Sequence, residues 1–587
     1  MIFTDRSCAA AHACPRRMPT QRANRPAHHE PAREIAQRVA GEIARGGRPQ
    51  PDVLARVLPD FLRRLLYALA RVIAALGPAF VQSHPDPVEL VVTAGVPADL
   101  LAYLRPDSAP SHAAPADIIC FLADRLANAE PLDKLIKSLK RAKFDPVPTL
   151  PGFRPTSDSG RDALQLLRAH ATRATYYAAP GDGGNLDLLA HTLSSLPATP
   201  CIIITETPNA QPLRDALAPR PAVTTIISQP FKVSQWAADN AKPGTLGSHP
   251  AHLIPRYASR EEYHPIFVPG DDLAAHVPPT SHTPPIRSAR SPLLFQGGNL
   301  LIVDDLPRAR RVLLIGEAEI HRNRALGLST DQTLAFFQTE FAADICEVLP
   351  AASYHIDQEL TVRSTADATH VFLPETLSAS IAIIESSLVA LADANRWPLE
   401  IVERTLEHLR AGRASEAMQL IFSGLTIERT PEHAYPLSMA DALSTGPADS
   451  GIGNLHRFLL AIDHFVAVVI PLHAIPEANL AALVRSFHRR AADRAKIKTI
   501  LTRLGWKPVS VPALPEESRG VNPLNGIHTP DSYLMPAYGG LFSPLDQMAA
   551  TAFRHALSPS IAVIPIPTAE SQRRDGALHC ALACYGH

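Results

Sequence analysis

Four short segments of this chain carry side chains that could break a carbon–nitrogen bond if folding gathers them. Tyr354-His355-Ile356-Asp357 spaces an imidazole and a carboxylate two residues apart, which puts both on one face of a strand. Gln235-Trp236-Ala237-Ala238-Asp239-Asn240 sets a carboxylate beside an indole, just before a Pro243-Gly244 turn. Gln296-Gly297-Gly298-Asn299 leads into an apolar run, and Gly576-Ala577-Leu578-His579-Cys580 places a thiol near residue 587. One thiol, one imidazole and two carboxylates are the minimal kit for attacking a guanidinium. Its carbon is a poor electrophile because the cation is delocalised, and carboxylates can grip its nitrogens bidentately. A thiolate then adds, and an acid protonates departing ammonia.

Each of these residues also has a plainer role to be weighed. An isolated cysteine is commonly an inert thiol, as Cys584 is expected to be, and Asp239 beside Asn240 could simply shape a turn. Asp304-Asp305 point to opposite faces of a strand, so a solvated turn is expected there in place of a metal site. The basic run 308–311 reads as a solvated strand start. Gly181-Asp182-Gly183-Gly184 lacks the strand–helix spacing of a phosphate loop. The His-rich stretch 11–29 is expected to be disordered, not metal-binding.

Positioning four distant segments requires a fold that converges. Apolar runs at 201–205, 223–227, 300–303, 312–315, 370–373, 509–511 and 561–566 predict strands, and helical segments alternate with them, which favours an α/β class. Ser329 followed by Gln332 predicts a capping box opening one helix. Helices are predicted at 377–394, 399–410, 455–469 and 477–504, the last stopped by Gly505. These form a helical insertion over 375–505. Residues 1–30 are expected to be disordered and 31–150 helical. The Pro/Ser/Gly-rich stretch 146–160 is the expected boundary before a catalytic domain spanning 160–587.

Composition narrows the class. Hydrophobic residues make up 46% and charged residues 19% of 587, which describes an ordinary globular protein long enough for more than one domain. A net charge of −1 gives no electrostatic case for nucleic acid or an anionic membrane as partner. The apolar stretch 54–81 is broken by arginines, an aspartate and prolines, so it predicts a packed helix pair and not a membrane span. Seven cysteines without CxxC-like pairs argue against a disulfide scaffold and a Cys-rich zinc site, and favour a reducing, cytoplasmic setting.

Taken in order, the segments resemble the guanidino-modifying, or pentein, superfamily, especially its agmatine deiminase and bacterial peptidylarginine deiminase branch. That branch carries W-x-R-D-x-G-P, then G-G-N/S, H-x-D, an N-x-L segment before V-P-x-Y-G, and G-G-x-x-H-C. The counterparts here are 236–239, 297–299, 355–357, Asn522 through Met535-Pro536-Ala537-Tyr538-Gly539, and 576–580, within roughly 195–587. The resemblance implies a propeller-like ring of five ββαβ modules, with a helical insertion and a helical N-terminal region. It implies Cys580 as nucleophile, His355 as general acid/base, and Asp239 and Asp357 as the guanidinium-gripping carboxylates. Trp236, Asn299 and either Asn522 or Asn525 fall on the substrate side. The implied activity is deimination of agmatine, peptidyl-arginine or a related guanidine through a thiouronium, with neither metal nor organic cofactor. Amidino transfer, or a catalytically inactive binding protein, are the alternatives. A protein partner would meet the helical insertion. This chain departs from the pattern at Ala238, which stands where the family has arginine, at Asp575-Gly576-Ala577 in place of glycines, and at Gln358-Glu359 after Asp357.

Overall fold

The computed structural model describes residues 148–171, 185–217, 224–229, 235–255, 285–291, 293–324, 328–394, 397–424, 451–470, 478–515, 520–572 and 575–586. The expected disordered start, nearly all of the expected N-terminal helical region, the His-rich stretch and Gly181 to Gly184 lie outside the described residues.

All seven predicted strands are present, because each is a run of β-branched and apolar residues buried on both faces or packed beneath a helix. They are β3 (Cys201–Glu206), β4 (Thr224–Gln229), β8 (Leu300–Asp305), β9 (Arg310–Gly316), β12 (Thr369–Glu375), β13 (Lys507–Pro512) and β16 (Ala562–Pro567). Ten more complete the sheets: β1 (Phe153–Pro155), β2 (Leu164–Ala171), β5 (Lys242–Leu246), β6 (His249–Ile254), β7 (Arg287–Arg290), β10 (Ile345–Leu349), β11 (Thr361–Ser364), β14 (Ile527–His528), β15 (Ser532–Ala537) and β17 (Leu582–Gly586).

These strands form five small mixed sheets, ordered β1-β5-β6-β7, β17-β2-β3-β4, β10-β9-β8, β11-β12-β13 and β14-β15-β16. One pattern recurs. An antiparallel pair is joined by a strand parallel to its second member: β8–β9 with β10, β11–β12 with β13, β14–β15 with β16, β5–β6 with β7, and β17–β2 with β3. Parallel neighbours need a crossover, usually helical. Between β15 and β16 it is the single long helix Ser543–Ala556. Between β12 and β13 it holds Thr376–Asp393, Leu399–Arg410, Ala414–Gly424, Gly451–Val469 and Ala478–Arg503.

The cores follow the sheets. Phe337, on the helix Thr330–Glu340, and Phe341, which caps its C-terminus, pack with Phe295 edge-on and stacked under β8–β10. That helix begins at Ser329, which accepts from the Gln332 N–H while the Gln332 side chain accepts from the Ser329 N–H, the predicted capping box. Ile383, Ile384, Phe458, Leu459 and Phe465 centre the helical block. Among the described residues one helix, Thr376–Asp393, is long and apolar enough to cross a membrane, and it buries Ile383, Ile384 and Leu388 in that block's core. Gly505 ends the last crossover helix at φ +83°, as predicted.

One surface expectation fails and another holds only in part. Asp304 and Asp305 are buried, not solvated: Asp304 pairs with Arg311, Arg161 and Arg154, and Asp305 with Arg310 and Arg308. The 308–311 run enters β9 as expected and is exposed at Arg308 and Ala309, while Arg310 and Arg311 are half-buried where they pair with the aspartates. The two aspartates do face different partners, as strand alternation requires.

Candidate active site

The site is assembled from chain ends and turns. Asp239 lies on the single turn Ala237–Asn240, Gly298 on the 3-10 turn Gly297–Asn299, and Asp357 on the 3-10 turn Ile356–Gln358 with His355 capping it. Cys580 lies on the four-residue helix Leu578–Ala581. His355 and Asp357 thus do not share a strand face, as their spacing suggested. A tight turn brings them to the same place.

Gly298 is the point of convergence. A Cβ there would lie 2.5 Å from His355 Nδ1 and 3.0 Å from both Asp239 Oδ1 and Asp357 Oδ2. The Gly298 N–H donates to Asp239 Oδ1 at 3.0 Å, and His355 Nδ1 lies 3.6 Å from that oxygen. Cys580 Sγ sits 3.3 Å from Asp357 Oδ2, and one donor atom each of His355, Asp357 and Cys580 fall within 4.8 Å of one another. Three such donors could in principle hold a metal ion. The Cys580 thiol and a His579 ring nitrogen both reach Asp357 Oδ2. All three side chains are buried. Asp357 Oδ1 is buried and has no hydrogen-bond partner among the described residues.

The tautomer of His355 follows from its partners. Gln296 Oε1 accepts from Arg322 Nη2 at 2.8 Å, so it is the carbonyl oxygen, and His355 Nε2 at 2.8 Å must donate to it. Nδ1 is then the nitrogen free to exchange protons beside Asp239. Tyr354 stacks on the imidazole at 4.2 Å and, through its hydroxyl, accepts from Gln296 Nε2.

Burial pushes the Cys580 thiol well above its ordinary range, and the charges of Asp357 and Asp239 push it the same way. The thiol is therefore not primed by its surroundings alone. Burial also raises Asp239, with Asp357 repulsion adding to it against the attraction of His355 and the Gly298 N–H. Burial opposes the charge of Asp357 as well, but the hydrogen bond and charge of His579, together with His355, outweigh it and hold this carboxyl below its usual value.

The remaining predicted residues support these groups. Trp236 lies against Gly576, where a Cβ would meet its ring at 2.7 Å and Cys580 Cβ at 3.1 Å. Asn299 donates to Glu319 and accepts from the Ile356 N–H, tethering the turn that carries His355. Asn522 donates to both Gln358 oxygens at 2.9 Å. Asn525 accepts from the Ala577 and Cys580 N–H groups and donates to the Asp357 carbonyl. The amides of all three asparagines are thus engaged by neighbouring protein groups, with Asn525 joining the thiol's turn to that of Asp357.

Several participants went unseen in the sequence. Gln358, noted only as a departure, points Nε2 at Cys580 Sγ at 3.5 Å. His579, adjacent to Cys580, bonds Asp357, and Asp158 bonds His579. Asp158 falls in the stretch read as a domain boundary, although β1 in that stretch pairs with β5. Its proximity to a glycine–proline-rich segment masked it, whereas His579 was visible within the terminal motif.

No family model matches the chain, and no curated protein does. Among solved structures it is similar to the agmatine deiminase of C. jejuni, at 10% identity and TM-score 0.41, over 74% of this chain and 96% of that one. It is also similar to the agmatine deiminase of Enterococcus faecalis, at 11% identity and TM-score 0.40, over 75% and 98%.

Proposed function

We propose that this protein is a deiminase that removes ammonia from a guanidino group through a thiouronium on Cys580. The observation that carries this is the convergence at Gly298: an imidazole nitrogen and two carboxylates within 3.0 Å of one point, a thiol 3.3 Å from one of those carboxylates, and a buried carboxylate oxygen with no donor among the described residues. A buried anionic oxygen left without a donor is costly. A planar cation with several N–H groups satisfies it, and Asp239 takes a second edge.

The electrostatics give the order of events. Two carboxylates raise the thiol, so a cation between them and the sulfur relieves that repulsion and lets the thiol proton pass to His355 Nδ1. The thiolate adds to the guanidinium carbon, and the C–N bond breaks as His355 delivers a proton from Nδ1 to the departing ammonia. His355 then takes a proton from water, whose oxygen displaces the thiolate and leaves a ureido product. Every group in this sequence belongs to the chain itself, so the proposed route uses no cofactor.

In this proposal the five sheets are the five modules of a propeller-like catalytic domain, closed where β17 pairs with β2. The helical block 375–505 is then an enlarged crossover of the β11–β13 module. Ammonia release from agmatine, free arginine, arginyl peptides and simple alkylguanidines, with and without an added amine, tests the proposal. Ammonia and a ureido product from the wild-type chain and none from Cys580→Ser are expected. Amine-dependent guanidine formation indicates amidino transfer instead, and no product from any guanidine defeats the catalytic proposal.

A further inference from the structure

His579 has no part in the reaction proposed above, yet it is built into the site from both sides. Its Nδ1 lies 2.8 Å from Asp357 Oδ2, and its Nε2 lies 3.3 Å from Asp158 Oδ1. Asp158 is held in turn: Oδ2 accepts from the Ile302 N–H at 2.7 Å and lies 3.3 Å from Lys242 Nζ. Lys242, itself buried, donates to the Leu300 carbonyl at 2.7 Å. A line of alternating charge therefore runs from Lys242 through Asp158, His579 and Asp357 to the Cys580 thiol.

An ionised carboxylate only accepts. A ring with such an acceptor on each nitrogen satisfies both only when it is doubly protonated; a neutral ring leaves one lone pair facing a negative oxygen. The geometry points to His579 as an imidazolium positioning residue: braced by Asp158 and Lys242, it keeps Asp357 ionised and holds Oδ2, leaving Oδ1 for the guanidinium. This rests on the proposed guanidine chemistry and adds to it the group that keeps the gripping carboxylate charged.

The surroundings agree. Burial works against the charge of His579, but the hydrogen bonds and charges of Asp158 and Asp357 outweigh it and raise the group to about 9. The other titratable groups around it are Asp239 and His355 beyond Asp357, His528 with Arg363 behind it, and Cys584 beyond Asp158. Burial, and then Arg363, hold His528 well below its usual value, so it adds no competing charge. Burial takes the Cys584 thiol up to about 12, so it stays protonated.

Asp158→Asn and His579→Gln test the assignment, with agmatine or an alkylguanidine as probe, from pH 5.5 to 9. His579→Gln removes the cationic partner of Asp357 and Asp158→Asn weakens its charge, so Asp357 protonates at higher pH in both. KM therefore climbs as pH falls toward 5.5, by about 10-fold for each unit by which the variant carboxyl titrates above the assay pH, and changes much less at pH 8. The rise in KM exceeds the fall in kcat, and the double variant is no worse than His579→Gln alone, because the two residues act in series. An equal loss at every pH, or additive effects in the double variant, overturns the assignment. If the wild-type chain turns over no guanidine, the catalytic proposal fails by itself, and unfolding midpoints from pH 6 to 9.5 still decide this one. A decline above pH 7 that is present in the wild type and reduced in both variants supports it; identical pH dependence in all three overturns it.

Discussion

Replacing Gly298 by alanine adds one methyl group at the centre of the proposed chemistry. The backbone there does not require glycine, since Gly298 is not among the glycines with positive φ. The obstacle is space. The new carbon would lie 2.5 Å from His355 Nδ1 and 3.0 Å from one oxygen each of Asp239 and Asp357. Ordinary non-bonded contacts lie near 3.5 Å, so the imidazole must retreat by about 1 Å and both carboxylates by about half that. Overpacking of this kind costs about 1–3 kcal/mol of stability. A misplacement of about 1 Å at reacting groups costs roughly 100-fold in rate. Gly298→Ala is therefore expected to stay folded by circular dichroism and urea unfolding while kcat for ammonia release falls at least that far. Gly412→Ala is the control, because its positive φ strains the backbone but no atom lies within 4 Å of the added carbon. It should lose stability and keep kcat. Full activity in Gly298→Ala would refute the claim that catalysis occurs where these three residues meet.

Other consequences are as direct. Glu359 is buried and held by Arg494 at 2.8 and 3.1 Å, so Arg494→Ala leaves an unpaired buried carboxylate and should cost about 3–5 kcal/mol in urea unfolding. Arg503→Ala, whose partner Glu347 it meets with 68% of its side chain exposed, should cost under about 1 kcal/mol. Asn525→Ala strips partners from the Cys580 and Ala577 N–H groups and the Asp357 carbonyl, and should cost about 2–4 kcal/mol with loss of activity beyond what unfolding explains. His579 is raised to about 9 in the fold from about 6.5 in the unfolded chain. Its stabilisation, about 3 kcal/mol, is complete below pH 6.5 and lost as pH rises through 9, as unfolding midpoints of wild type and His579→Gln across that range would register.

The sequence was readable where one kind of residue dominates a segment. The buried runs of β3, β8, β9 and β12, the Ser329 capping box and the Gly505 stop needed no tertiary information. Strands such as β5, with Lys242, Pro243 and Gly244, and β1, only three residues long, carry no pattern of their own and exist because neighbours pair with them. The site divides the same way. The side chains that meet at Gly298 could be picked out because their types suit one reaction, but the turn that joins His355 to Asp357 looked like a strand. The brace could not be read at all: His579 bonds residues 222 and 421 positions away, and only the folded chain makes that partnership. Asp304 and Asp305 misled for the same reason: Arg154 and Arg161, which reach Asp304, and Thr369 and Trp506, which bond Asp305, all come from distant parts of the chain.

The central claim is that carboxylates beside Cys580 select a planar cation and, by doing so, activate the sulfur. Mass spectrometry of the intact chain, following alkylation by 2-chloroacetamidine and by its neutral counterpart 2-chloroacetamide, measures this directly. The account predicts that the amidinium modifies Cys580 at least about 100-fold faster than the amide, a difference near 2.7 kcal/mol, and that Asp357→Asn removes most of that preference. Equal rates for the two reagents in the wild-type chain would contradict it.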